Sequence, residues 1–305
     1  MSLKDKLLNP SIPVTLFEIV PPVVGKPEAL EATLIEAKGV RHLVDAINLP
    51  EIHDESRGKE RTHRFVPRVE PRVLGVQILR ELSTEVVINR VVVHDPNPER
   101  WFRETHEQFG VEHLILVGGE SPEIRYPGPD PLQAAALVRS AGLPISLGGI
   151  TIPSRPNEAD RIRGKNAAGI TFFTSQILFD SNDIVWLIQR LNGLEARVFL
   201  SFAPVSHPRD LEFMRWLGAD IPPDLDHFLL RGGEGSADSC FERSLDLAQR
   251  ILLDVFDNLP PDPPPLGLNI EHINRRNFPS AVKMLDQLGN LYTGLVTARA
   301  RASLT

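Results

Sequence analysis

The sequence predicts an α/β fold, a single (β/α)8 TIM barrel, on three observations. Eight short β-rich runs alternate with helix-like segments from one end of the chain to the other. Most of these runs are nearly continuous in apolar residues, as suits parallel strands buried on both faces. Strand–helix alternation implies right-handed crossovers, and eight units in about 300 residues is the count for such a barrel. A doubly wound sheet is the rival, but no Gly-x-Gly-x-x-Gly follows any early strand.

In order, the strand runs are TLFEIVPP (15–22), HLVDAINLP (42–50), EVVINRVVVHD (85–95) and HLILVGGE (113–120). PISLGGIT (144–151), GITFFTSQILF (169–179), RVFLSFAP (197–204) and LGLNIEHI (266–273) follow. Between them PEALEATLIEAKG, ERWFRETHEQFG, DPLQAAALVRSAG, NDIVWLIQRLNG, PRDLEFMRWLG and ADSCFERSLDLAQRILLDVFDN space apolar residues as helices do. DPNP offers cap chemistry to the helix after the third strand, with Asp95 or Asn97 as the N-cap and His94 as their neighbour. LPPDPPPLG (259–267) reads as a stiff loop before the last strand. The stretch 218–265 is expected to be a helical insertion in the seventh unit of one domain spanning 1–305. Inside it, RGGEGSADS (231–239) lacks the Lys-Ser/Thr ending of a P-loop and reads as a glycine-rich loop, while Cys240 reads as structural.

Composition narrows the function. With 42% hydrophobic and 24% charged residues among 305, the chain suits an ordinary globular protein with a sizeable core. A net charge of −7 and a pI near 5.8 argue against a broad nucleic-acid surface. Three Trp and two Tyr argue against a base-stacking one. One cysteine excludes an internal disulfide framework and fits a reducing cytoplasm. MSLKDKLLNPS has no long apolar run, so neither a signal peptide nor a membrane anchor is expected. The expectation is a cytoplasmic protein with a small-molecule partner, no nucleic acid and no membrane, for which a homo-oligomer is possible and the oligomeric state is left open.

In such barrels chemistry sits at the carboxyl ends of the strands. Isolated polar groups fall near those ends at Glu18, at Asp45 and Asn48, at Glu120, at Gln176, and at Glu271 or His272. A buried, unpaired carboxylate is costly, so such a group is paired or neutral. Two readings of Glu18 therefore stand: an ion pair with an arginine inside the barrel, or an acid kept protonated by its apolar neighbours. Gln176 is a core amide or a ligand contact. Glu120 follows a glycine pair and either begins a plain turn or belongs to the site.

Taken in order, these segments resemble the methylenetetrahydrofolate reductase family, whose members are (β/α)8 barrels. LFEIVPP is similar to the family's first-strand segment and puts the catalytic glutamate at Glu18. In HLILVGGESP, Glu120 stands where the family has the aspartate of Arg-Gly-Asp. GITFFTSQILFD resembles the Thr-Gln run that places a folate-contacting amide at Gln176, and Lys165 lies eleven residues before it, as a family lysine does. FLSFAPVSH and LGLNIEHINRRN resemble the last two strands, with Pro204, Asn274 and Arg275 in matching places. The resemblance implies reduction of 5,10-methylenetetrahydrofolate to 5-methyltetrahydrofolate. Glu18 is then the general acid, Glu120 and Gln176 hold the pterin with Asp45 and Asn48 as further substrate candidates, and Lys165 and His272 are the cofactor candidates.

The departures fall on the flavin side. The family's FAD-holding histidine, arginine and tyrosine segments read here RVVVHD, VGGE and ITIPSR, with Arg90 or a neighbour, Gly118 and Ile152 at those places. A pyrophosphate wants fixed donors and cations, and glycine supplies no side chain. The expectation is direct hydride transfer from NADH or NADPH without flavin. An FAD- or FMN-dependent reductase with a remodelled pocket is the alternative. A catalytically inactive folate-binding or partner subunit is the alternative of another class.

Overall fold

Eight parallel strands close on themselves in the order β1 to β8, so the (β/α)8 barrel expected from the sequence is the fold. The structure, a computed structural model, describes residues 1–55, 64–121, 123–231 and 237–302. The chain opens with α1 (Leu3–Leu7), β1 (Thr15–Ile19), α2 (Pro27–Val40), β2 (Ala46–Leu49), α3 (Pro71–Gln77) and β3 (Glu85–Val91). It continues through α4 (Glu99–Glu107), β4 (His113–Val117), α5 (Pro131–Ser140), β5 (Ser146–Thr151), α6 (Glu158–Ala167) and β6 (Ile170–Ser175). The last third holds α7 (Asn182–Arg190), β7 (Arg197–Phe202), α8 (Pro208–Leu217), α9 (Leu225–Leu229), α10 (Ala237–Asp257), β8 (Leu266–His272) and α11 (Phe278–Ala302).

Local chemistry marks the helix ends. Asp130 caps α5 reciprocally with Gln133, ahead of Pro131 in the first turn. Gly218, at φ +95°, ends α8 in the left-handed region. The cap expected before α4 is different. Pro98 occupies the N-cap position, and Asp95 instead pairs with Arg90 at 2.9 Å.

Strand alternation divides the molecule into two apolar compartments. Phe17, Ile19, Ile47, Leu114, Phe173, Leu200 and Ile270 point outward and pack under the helical ring. Leu16, Ala46, Val87, Ile115, Phe172 and Phe199 point inward and fill the barrel. The two phenylalanines meet edge to face, 6.1 Å between centroids. They lie over Gly148 and Gly267, where an added Cβ would come within 2.3 Å of each ring.

The amino-terminal end of the barrel is closed by the chain's own start. Leu3, Leu7 and Val14 join the inner apolar cluster. The buried Arg197 guanidinium donates to the carbonyls of Lys6, Leu7, Asn9, Ile12 and Leu266. Tyr292 accepts from the Val14 N–H and donates to the Leu266 carbonyl. Asp45 belongs here too, paired with Lys6 at 2.5 Å and accepting from the Thr15 N–H. It therefore lies at the wrong end of β2 for the substrate role expected of it.

The stretch 218–265 divides differently from the expected insertion. α10 sits in the helical ring and contributes Phe241, Leu245, Leu252 and Val255 to the outer core. The added part is α8 and α9, which cover the carboxyl ends of β6 to β8 with Leu211, Met214, Ile221 and Leu229 against Ile177, Val205 and Ile273. Of the glycine-rich run 231–239, residues 232–236 lie outside the described residues.

Replacing Arg197 by Met should destabilise the fold by roughly 3–5 kcal/mol, because it strands several buried carbonyls. Urea unfolding of the two proteins measures this. A loss below the experimental error would refute the anchoring role.

Candidate active site at the barrel mouth

The parity that sends Leu16 inward also sends Glu18 inward, one step nearer the carboxyl end of β1. The parallel register places it beside Asn48 on β2 and Glu271 on β8. Asn48 donates its amide to Glu18 Oε2 at 3.3 Å. On the other side, Asn269 donates to Ser201 Oγ at 2.9 Å and to Glu271 Oε1 at 3.4 Å. Two carboxyl groups thus stand on neighbouring strands, facing the same interior.

Their electrostatics follow. Burial, and then the charge of Glu271, push the Glu18 carboxyl well above the usual carboxylate range. Burial also raises Glu271, to about 7, while a hydrogen bond from Ser201 opposes the rise. Among the described residues no cation offsets either rise. The arginine partner, one of the two readings of Glu18, is not found among them.

Three amide oxygens nearby, Asn48 Oδ1, Asn89 Oδ1 and Asn269 Oδ1, are buried and accept no hydrogen bond from the described residues. Buried acceptors are nearly always paired, so these are positions where a polar hydrogen from a ligand or solvent is wanted. Among the described residues, no group of His, Cys, Asp and Glu could hold a metal ion.

The other expected residues scatter. Gln176 follows β6 directly; its amide donates to the Leu217 carbonyl at 3.1 Å and accepts from the Ile177 N–H. One N–H and one lone pair remain for a ligand. It lines a cavity of about 320 Å³ with Ile152, Ser154, Phe179 and Asp220, beside α8. That volume lies at the lower edge of the range for small-molecule sites. Glu120 lies just past β4, its N–H held by Tyr126 Oη at 3.0 Å. Lys165 does not reach the mouth: it donates to the Ile150 carbonyl at 2.8 Å, and burial lowers its pKa. His272 shares the outward parity of Leu268 and Ile270 and packs edge to face on Phe278 at 5.2 Å. The structure therefore brings Glu18 and Asn48 together, keeps Glu120 and Gln176 at the carboxyl ends of their strands, and turns Asp45, Lys165 and His272 elsewhere.

Glu271, Asn269, Ser201 and Asn89 complete the interior, and the sequence carries a signal for the first two. In LGLNIEH the apolar residues at 268 and 270 fix the outward face, so 269 and 271 must face in.

No family model matches this sequence, and no curated protein does. Solved structures do match, 454 chains of them, as expected for a widespread fold. One is an uncharacterized protein from Clostridium thermocellum that binds two copies of 5-methyl-5,6,7,8-tetrahydrofolic acid. It shares 19% identity and a TM-score of 0.72, covering 95% of this chain and 99% of its own. At that identity the likeness shows the fold. Among the described residues no helix is long and apolar enough to cross a membrane.

Burial pushes the His272 imidazole down to about 4. The unfolded chain binds that proton first, so the contribution to stability is complete above the ordinary value of 6.5 and lost as pH falls toward 4. His272→Leu should flatten the acid side of the stability curve by roughly 3 kcal/mol. Denaturation midpoints across that window test it, and an unchanged slope would count against the assignment.

Proposed function

We propose that the protein is a folate reductase that binds 5,10-methylenetetrahydrofolate at the barrel mouth. It reduces the one-carbon bridge with hydride from NADH or NADPH, and Glu18 is the general acid. The observation that carries this reading is an inward carboxyl beside a second one, with no cation against it among the described residues, whose pKa burial pushes well above the usual carboxylate range. The bridge carbon joins N5 and N10 and accepts hydride poorly while the ring is closed. A proton given by Glu18 to N10 lets the carbon–N10 bond break, leaving a cationic N5 iminium. Hydride addition to that carbon makes the methyl group, and the nicotinamide is oxidised. A positioned acid of this kind contributes roughly 10²–10⁴ in rate.

The rest of the mouth supports the reading. The free donor and acceptor of Gln176 and the carboxylate of Glu120 suit the amino-oxo edge of a pterin. The buried oxygens of Asn48, Asn89 and Asn269 suit polar hydrogens of a ligand. The Clostridium thermocellum protein, of like fold, binds 5-methyltetrahydrofolic acid, the product form.

A flavin pyrophosphate fits less well. Arg90 is committed to Glu51 at 2.5 Å and to Asp95, with its guanidinium over Trp101. Lys165 is committed to a backbone carbonyl. Both engagements favour the flavin-free route over a remodelled flavin site.

The test is oxidation of NADH and of NADPH by flavin-stripped protein with methylenetetrahydrofolate, beside Glu18→Gln. The expected result is sequential initial-rate kinetics and a loss of roughly 10²-fold or more in kcat with Glu18→Gln, substrate still binding by calorimetry. Ping-pong kinetics with a bound flavin band would establish the flavin-dependent alternative. Folate binding without turnover would establish an inactive folate-binding protein.

A further inference from the structure

We infer that Glu18 and Glu271 form a divided carboxyl pair, holding one proton on Glu18 and one negative charge on Glu271. This rests on, and deepens, the reading of Glu18 as an acid. The register of β1 and β8 puts the two groups side by side on the inner face. Like charges that close do not both ionise readily, so the pair retains a proton where isolated carboxyls have lost theirs.

Which member keeps the proton is decided by the donors around each. Ser201 and Asn269 give Glu271 hydrogen bonds that favour its charged form. Among the described residues Glu18 has one donor, Asn48. With fewer donors than Glu271, Glu18 is the better place for the proton.

Among the described residues the surrounding elements add no charge that disturbs this division. On β2 the inward neighbour is the neutral Asn48, while Asp45 lies at the far end with Lys6. On β7 the inward neighbour is Ser201, while Arg197 lies at the far end against α1. His272 faces α11 on the outer side, and the Glu36 of α2 pairs with Arg275.

The division gives Glu271 a task that Glu18 cannot perform. When the proton passes from Glu18 to N10 and the carbon–N10 bond breaks, a positive charge appears at N5. Glu271, already ionised, stabilises that cation without having to move. Glu271 is therefore a positioning residue for the proton and an electrostatic partner for the intermediate.

The proposal is tested first without substrate, by infrared titration of protonated carboxyl bands. Above the value of about 7 for Glu271, wild-type protein should keep one such band, and Glu18→Gln should remove it. Glu271→Gln should keep the band but lose it at a pH lower by about one unit or more, since the neighbouring charge is gone. A band that survives in Glu18→Gln, or an unshifted one in Glu271→Gln, would overturn the division. With substrate, Glu271→Gln should move the alkaline limb of kcat down by a similar amount, costing roughly tenfold near neutral pH, and Glu271→Asp should restore it. If the limb shifts but Asp fails to restore it, the charge is not what Glu271 supplies and the proposal falls. Should the protein bind no folate, the infrared result still decides the pair, while an unshifted band in Glu271→Gln ends the division and leaves Glu18 as the acid of the folate reading.

Discussion

Parallel β1 and β8 could meet in several registers, and the chemistry of the mouth survives in one of them. With Leu16 opposite Asn269, Glu18 stands opposite Glu271. A slip by one residue would carry Glu18 into the apolar helical layer, where a carboxyl is costly, and would turn Phe17 and Ile19 into the barrel. The register is held from both sides. Phe17 and Ile19 are wanted by the outer core and Leu16 by the inner one, so apolar packing places the acid.

The two ends of the barrel solve opposite problems. At the amino end, charge is neutralised: Arg197 is spread over backbone carbonyls, Asp45 meets Lys6, and Glu85 meets His113 at 2.8 Å. At the carboxyl end, two carboxyls are set together with no cation beside them among the described residues. The first arrangement secures the amino-terminal segment as a stopper, and the second costs stability where the proposed chemistry needs reactivity. The α8–α9 cover then fixes the β6 side, because the last carbonyl of α8 holds the Gln176 amide.

Much of the fold was legible because its strands are short, apolar and evenly separated by helices. The inward placement at the mouth was legible at Glu18, whose flanking residues at 17 and 19 are large and apolar, and at Asn48. Parity separates the others: Asp45 precedes β2 and stands three residues from Asn48, an odd spacing that does not share a face. His272 stands in step with Leu268 and Ile270 rather than with Asn269. Lys165 is a different case: its reach to the Ile150 carbonyl depends on how α6 lies against β5, which no local pattern encodes. The added helices were misplaced because α10, the longest apolar-striped stretch between β7 and β8, reads like an insertion when it is the ring helix.

The paired phenylalanines within the barrel have a consequence for proton traffic. Phe172 and Phe199, with Leu16, Val87 and Ile115, make an oily septum between the stopper and the acids. Hydrogen ions can then reach Glu18 and Glu271 by the open rim alone. A ligand seated there would act as the lid of a one-ended vessel, and whatever charge state the acids held at its arrival would be kept until it left.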